Sequence, residues 1–258
     1  MSEKDIVKYY NKFCEDKRLL SRHGQVEFAV TMHYIKKHLK SKGPLKILDV
    51  GAGTGRYSFA LSDLGHEVTA VELVKYNLGI LKSKGEKINA YQGDARNLKR
   101  FENDSFNVVL LFGPMYHLLS HDDKLKALRE AKRIVKKDGL IFISYLMNEY
   151  AVLVHGFRDN CILDEINAGR LSAGFEVVAK EPDLYSYVRI EDIDKLTFDA
   201  GLERVEIVSQ DGATDYMRDV INSMSKEVFD LYIKYQISVS GRQELLGASS
   251  HVLDILKK

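Results

Sequence analysis

The chain has 258 residues, 45% of them hydrophobic and 29% charged, which is enough apolar material for one sizeable α/β domain or a domain with an attached subdomain. Its 38 basic and 37 acidic residues leave a formal net charge of +1, so no overall field draws in a polyanion and nucleic acid is not the default partner. The two cysteines, Cys14 and Cys161, are far apart and give neither a disulfide framework nor metal-ligand spacing. Met1 is followed by no apolar leader, and no apolar run reaches bilayer length, so the expectation is a soluble cytoplasmic protein without a membrane partner. The oligomeric state is not legible.

In chain order, residues 3–42 read as one or two helices, with Ile6, Tyr9, Tyr10 and Phe13 at helical spacing and Val26 to Leu39 repeating the pattern. Gly43-Pro44 stops them. Leu45–Val50 has strand length, Tyr57–Leu64 suits a helix, and Glu67–Leu73 a second strand. A helix over 74–85 and a short strand at Ala90–Gln92 follow, then a strongly apolar strand at Phe106–Phe112. A helix is predicted over Lys124–Lys136, its lysines on a solvated outer face, and Asp138-Gly139 turns the chain into a strand at Leu140–Leu146. Residues 148–188 carry no clean alternation and read as an insertion. Glu191–Ala200 reads as a helix ended by Gly201, Leu202–Val208 as a strand, 215–239 as helical and His251–Leu256 as a terminal strand. Strands alternating with helices, two of them apolar throughout, predict a doubly wound, mostly parallel α/β sheet. The expected organisation is a single domain over 1–258: lid helices at 1–42, a cofactor-binding core at 44–146, and cap insertions at 147–190 and 211–245.

The chemistry concentrates at the carboxyl ends of the first three strands, where open α/β sheets bind ligands. Asp49-Val50-Gly51-Ala52-Gly53-Thr54-Gly55 delivers a strand into a turn bare of side chains and then into a helix N-terminus. The dinucleotide fingerprint G-x-G-x-x-G is not met: the third glycine comes one residue early, and Arg56 stands in its place. Asp49 suits the positive amino-acid end of a ligand better than a diphosphate. Glu72, ending the second strand about 20 residues on, can accept from two ribose hydroxyls. Asp94, in Gly93-Asp94-Ala95, can accept from an adenine amino group. Each signal alone is modest: Asp94 could equally cap a helix over Ala95–Leu98. The three in order, each ending a successive strand, are far more specific.

On these residues the sequence resembles the class I S-adenosylmethionine-dependent methyltransferases. Ile47–Gly55 is similar to the family's first motif, Val68–Glu72 to its second, Gly93–Ala95 to the adenine-contacting one and Phe106–Leu119 to the fourth. The resemblance covers 44–146 strongly, and the two final strands resemble the antiparallel pair that closes the family's seven-stranded sheet. It implies S-adenosylmethionine as cofactor, with Gly51 and Gly53 near the methionine moiety, Glu72 on the ribose, and Asp94 with Ala95 at the adenine. Asp49, Ala52, Gly55, Leu73 and Phe112 complete the expected cofactor set, and Tyr10 would reach the ligand from the lid. The implied reaction is methyl transfer to an O, N or C atom of a small-molecule acceptor.

Methyl transfer from a sulfonium needs alignment and exclusion of water, with a base only if the acceptor must lose a proton. Tyr116 and His117 follow the fourth strand and are the candidate catalytic pair, with His117 as base or acceptor-orienting group, or else a structural histidine. Tyr145, Tyr185, Tyr187 and Arg189 are further candidates for the acceptor side, and Arg22 and His23 for an anionic acceptor. The loop lacks the Asn/Asp-Pro-Pro-Tyr pattern similar to amide and adenine N-methyltransferases. An RNA methyltransferase of the same fold and a ligand-binding protein without turnover are the alternatives.

Overall fold

The computed structural model describes residues 20–40 and 43–258. Among these, seven strands form one sheet in the order β3-β2-β1-β4-β5-β7-β6. They are β1 (Lys46–Val50), β2 (Glu67–Glu72), β3 (Asn89–Gln92), β4 (Phe106–Leu111), β5 (Val135–Leu146), β6 (Glu203–Ser209) and β7 (His251–Lys257). The pairs joining β3, β2, β1, β4 and β5 are all parallel, whereas β7 runs antiparallel to both β5 and β6. The doubly wound, mostly parallel sheet expected from the sequence is present, closed by the expected antiparallel strand pair.

Alternate side chains of the central strands enter two separate cores. Leu48, Val50, Val109, Leu111, Ile141 and Ile143 face one, and Ile47, Val108, Leu110 and Phe142 the other. Parallel strands buried on both faces must be apolar throughout, which is why β4 and β5 read as continuous hydrophobic runs. The first core is covered by α5 (His121–Ile134) and α8 (Ile190–Ala200), through Ala127, Leu128, Ala131, Ile193 and Leu196. The second is covered by α1 (Arg22–Leu39), α2 (Arg56–Asp63) and α3 (Lys75–Ser83). Two helices, α9 (Arg218–Ser223) and α10 (Lys226–Val239), divide the helical segment predicted over 215–239 and pack against α1. Arg22 fixes that break: its Nη1 donates to the carbonyls of Ile221 at 2.7 Å and Met224 at 2.6 Å. Arg22 therefore has a structural task.

Three local expectations are corrected. Helix α5 starts at His121, ahead of its apolar repeat, because the Ser120 side chain accepts from Asp123 N and two acidic residues occupy the first turn. Strand β5 starts at Val135, so the Asp138-Gly139 turn is an irregularity inside a strand. The register passes from Phe106↔Val135 to Val108↔Leu140 around it. Gly139 is required there, since a Cβ would lie 2.7 Å from the Asn107 carbonyl oxygen. Lys124 is not on a solvated face. It is 4% exposed and donates to Ser186 Oγ at 2.7 Å and to the Leu118 carbonyl.

The 147–190 segment contains α6 (Asn148–Ala151), which runs on as a π-helix over Val152–Arg158, and α7 (Ile162–Asn167). Its return limb is fastened to the segment after β4, where Ser186 N donates to Tyr116 O at 2.8 Å. That limb also flanks the end of β5, with Val188 N donating to Leu146 O at 2.9 Å. No described helix is long and apolar enough to cross a membrane.

Candidate active site

A cavity of about 520 Å³ opens at the carboxyl ends of β1, β2, β3 and β4, within the size range of small-molecule and cofactor sites. Of the expected residues, Asp49, Gly51, Ala52, Gly53, Glu72, Leu73, Asp94, Ala95, Phe112, Tyr116 and His117 all line it. Two do not join them. Tyr10 lies outside the described residues. Gly55 is absent from the lining: it is the N-cap of α2 at φ 90°, and a Cβ there would meet Leu81 and Phe59 at 3.0 Å. Its part is to let α2 pack closely on α3.

The glycine loop is shaped by its own hydrogen bonds. Gly51 N and Ala52 N both donate to Val71 O, at 2.8 and 3.1 Å, and Gly55 N donates to Ala52 O at 2.9 Å. Gly53 N donates to Glu72 Oε2 at 2.8 Å, while Glu72 Oε1 accepts from Val74 N at 2.8 Å. Four of the loop's amides, those of Gly51, Ala52, Gly53 and Gly55, are thus spent within the protein rather than on a ligand. Gly51, at φ 77°, is pressed so near the next segment that a Cβ would stand 2.6 Å from Pro114 Cδ.

The loop offers the ligand negative charge instead. Asp49 and Glu72 are 2% and 5% exposed. Asp49 Oδ2 accepts from Ser58 Oγ at 2.6 Å, and burial pushes its carboxyl from 3.8 up to about 6. Burial likewise pushes Glu72 from 4.5 up to about 6, with the Asp49 charge adding to the rise against hydrogen bonds from Val74, Gly53 and Asn77. Among the described residues, no cation is a main cause of either shift. Two buried carboxylates raised by desolvation favour a ligand that brings positive charge.

Asp94 does not cap a helix over Ala95–Leu98, where the chain forms a turn instead. Its oxygens take Arg96 N at 2.8 Å and the Arg96 guanidinium, which reaches on to Asp123 at 2.8 Å. Burial opposes ionisation of Asp94, but Arg96 outweighs it and holds the carboxyl below its usual range. Arg96 and Asp123 therefore enter the lining as a clamp between the loop after β3 and α5, and residue-by-residue reading missed both. It also missed Glu27 and Tyr57, as well as Ala179, Lys180 and Glu181 from the 147–190 segment. Arg56 and Asn77 were passed over too. Glu27 carried a legible signal as an acidic residue inside the apolar face of α1, and it is only 6% exposed.

His117 ends the short helix α4 (Pro114–His117). Its Nδ1–H donates to Leu184 O at 2.9 Å, which puts the imidazole lone pair on Nε2, and Tyr185 stacks on it at 5.3 Å. Burial pushes its pKa down to about 4, against the Leu184 bond, so the ring stays neutral at physiological pH. Tyr116 lies edge-on to His117, Tyr185 and His251, at 4.8, 6.0 and 6.3 Å between ring centroids. Tyr185 and Tyr187 line a smaller cavity of about 230 Å³ within the insertion. Arg189 lines neither cavity and is taken up by Glu149 and Glu176. Tyr145 is not in the pocket: it is 1% exposed, inside the first core.

The methyltransferase domain family matches residues 48–143. A glycine/sarcosine N-methyltransferase of Aphanothece halophytica is 30% identical over 128 residues, 47% of this chain and 48% of that protein. A cypemycin N-terminal methyltransferase of a Streptomyces species is 34% identical over 100 residues, 38% and 40% of the two chains. The chain thus spans about half the length or less of these curated relatives. A crystal structure of a S-adenosylmethionine-dependent methyltransferase from Methanosarcina mazei superimposes with a TM-score of 0.59 at 14% identity, over 86% of this chain and 96% of that one.

Proposed function

We propose that this chain, whose residues 48–143 match the methyltransferase domain family and whose fold is that of such enzymes, is a class I S-adenosylmethionine-dependent methyltransferase that methylates a nitrogen of a small-molecule acceptor. The observation that carries the cofactor half of this reading is the pair of buried carboxylates, Asp49 and Glu72, beside a glycine loop whose amides are already used. A diphosphate would be repelled there, whereas a ligand with an ammonium and a sulfonium is attracted. The residues present therefore fit S-adenosylmethionine, which when bound supplies an electrophilic methyl group on positively charged sulfur.

In this reading Asp49 faces the amino-acid end of the cofactor, and Gly51, Ala52 and Gly53 admit it closely because no side chain intervenes. Glu72 and Leu73 hold the ribose, Asp94 and Ala95 meet the adenine, and Phe112 forms a wall beside it. Glu72 needs both of its backbone donors to keep its carboxylate aimed. The acceptor enters on the side of Tyr116 and His117. Neutral His117 orients it by accepting a hydrogen bond, since a group with a pKa near 4 is a weak base. The core is 44–146, with Glu27 of α1 and Ala179 to Glu181 of the 147–190 segment reaching the cavity, and α9 and α10 buttress α1. A nitrogen acceptor is supported by the names of the two relatives, both N-methyltransferases, and by the lack of net charge for a polyanion.

Calorimetric titration with S-adenosylmethionine, S-adenosylhomocysteine and NAD tests the cofactor. Saturable binding of the first two alone is expected, and binding of NAD alone would overturn the reading. Release of S-adenosylhomocysteine with a panel of small amines, beginning with glycine and sarcosine, tests the acceptor.

A further inference from the structure

The half of the sheet edge not used by the cofactor residues carries a second constellation. Strand β7 is antiparallel, so its first residue, His251, lies at the carboxyl end of the parallel strands, opposite Leu146 at the end of β5. Asp211, just after β6, comes to the same place. Its carboxylate is 2% exposed and accepts four hydrogen bonds. Oδ1 takes Ser249 Oγ at 2.7 Å and His251 N at 2.9 Å. Oδ2 takes Ser250 Oγ at 2.8 Å and His251 Nδ1 at 2.6 Å. Donation from Nδ1 to a carboxylate fixes the tautomer with its lone pair on Nε2 and stabilises the imidazolium that protonation would give.

The ring is edge-on to Tyr116 at 6.3 Å, and Tyr116 lines the cleft. The His251 side chain keeps 12% of its surface exposed. Among the described residues, the groups around the ring include Asp211 from the loop after β6, Tyr116 from the segment after β4, and Ser249 and Ser250 on its own segment; Tyr216 and Tyr150 sense the Asp211 charge. The serines and the backbone amide tie the carboxylate to the β6–β7 corner, and the imidazole on the same carboxylate stands beside the wall of the cleft.

We propose that His251, oriented by Asp211, is the base that deprotonates the methyl acceptor, with the acceptor bound in the cleft against Tyr116, whose ring His251 flanks from outside the lining. The inference rests on the proposed N-methylation. Nε2 takes one proton from the acceptor ammonium, which frees the nitrogen lone pair. That pair forms the new N–C bond while the electrons of the S–C bond stay on sulfur. The imidazolium then releases its proton to water, so the turnover yields one methylated ammonium, one thioether and one proton.

The test combines turnover of S-adenosylmethionine with glycine or sarcosine, the Kd for S-adenosylhomocysteine, and the ring tautomer of His251 by nitrogen-15 NMR in the S-adenosylhomocysteine complex. In His251→Gln, turnover is expected to fall about 100-fold or more with the Kd within about twofold of wild type. Asp211→Asn is expected to lower turnover and to change the tautomer while cofactor binding persists. Wild-type turnover in His251→Gln would overturn the proposal. So would an Nε2–H tautomer in the wild type, since that nitrogen could not then take a proton. If neither amine is turned over, the amine reading falls, and the proposal stands or falls on the tautomer alone.

Discussion

The two buried carboxylates make cofactor binding a proton-linked event. In the ligand-free protein Asp49 and Glu72 titrate at about 6. A ligand carrying an ammonium group favours their ionised forms, so binding below pH 6 must first expel protons. At pH 5 a group with a pKa of about 6 is ionised about one time in ten, so one required carboxylate weakens binding about tenfold relative to pH 7, and two roughly 100-fold. His117 stays neutral across this window, having been pushed down to about 4. Titration with S-adenosylhomocysteine at pH 5, 6 and 7, in two buffers of different ionisation enthalpy, reads both the Kd and the protons released. Asp49→Asn should flatten part of the slope and bind more weakly at pH 7. A Kd unchanged between pH 5 and 7 in the wild type, with no proton release, would refute the electrostatic argument.

Stability without ligand should respond in the opposite sense. An unfolded chain ionises these groups near pH 4, whereas the native state resists until about 6, so their contribution falls as pH rises through that interval and stays lower above it. For Asp49 the rise from 3.8 to about 6 corresponds to up to about 3 kcal/mol. Asp49→Asn should therefore raise the Tm of the free protein at pH 7.5 and leave it unchanged near pH 4; a lower Tm at pH 7.5 would contradict this. Glu72→Ala strands the amides of Gly53 and Val74, and cofactor affinity should fall by on the order of 1–3 kcal/mol; unchanged binding would remove the ribose assignment. Gly51→Val sets a branched side chain against Pro114 at a positive φ, and binding should vanish in a protein that still folds, as circular dichroism can check. Lys124→Met takes away the ammonium that ties both Leu118 O and Ser186 Oγ to α5 and leaves only the Ser186 Oγ–Leu118 O bond, so amide exchange over 184–188 should quicken while β1 and β4 keep their protection.

The cofactor half of the site was legible because its chemistry is local. A carboxylate two residues before a glycine turn, one at the end of the next strand and one after the third each follow from strand length and alternation, and parallel pairing brings strand ends together. Asp49, Glu72 and Asp94 line the cavity accordingly. Gly55 lies apart from the cavity lining, and spacing cannot distinguish a glycine facing a ligand from one facing Leu81. Lys124 was misread because helical periodicity reports a face, not what a later segment lays over it.

In the proposed acceptor half Tyr116 was legible from its place after the fourth strand, but Leu184, Asp211 and His251 were not, because they are joined to it and to His117 by hydrogen bonds and ring contacts that have no sequence period. His117 looked like a base because it follows the fourth strand, yet burial beneath Tyr185 and Leu184 lowers its basicity. The sequence by itself determined the sheet, its winding and the cofactor edge, since these depend on alternation and on turns within a few residues. Only the tertiary structure decided which side chains are desolvated, which amides are already spent and which histidine meets a carboxylate, because each depends on what the rest of the chain packs against it.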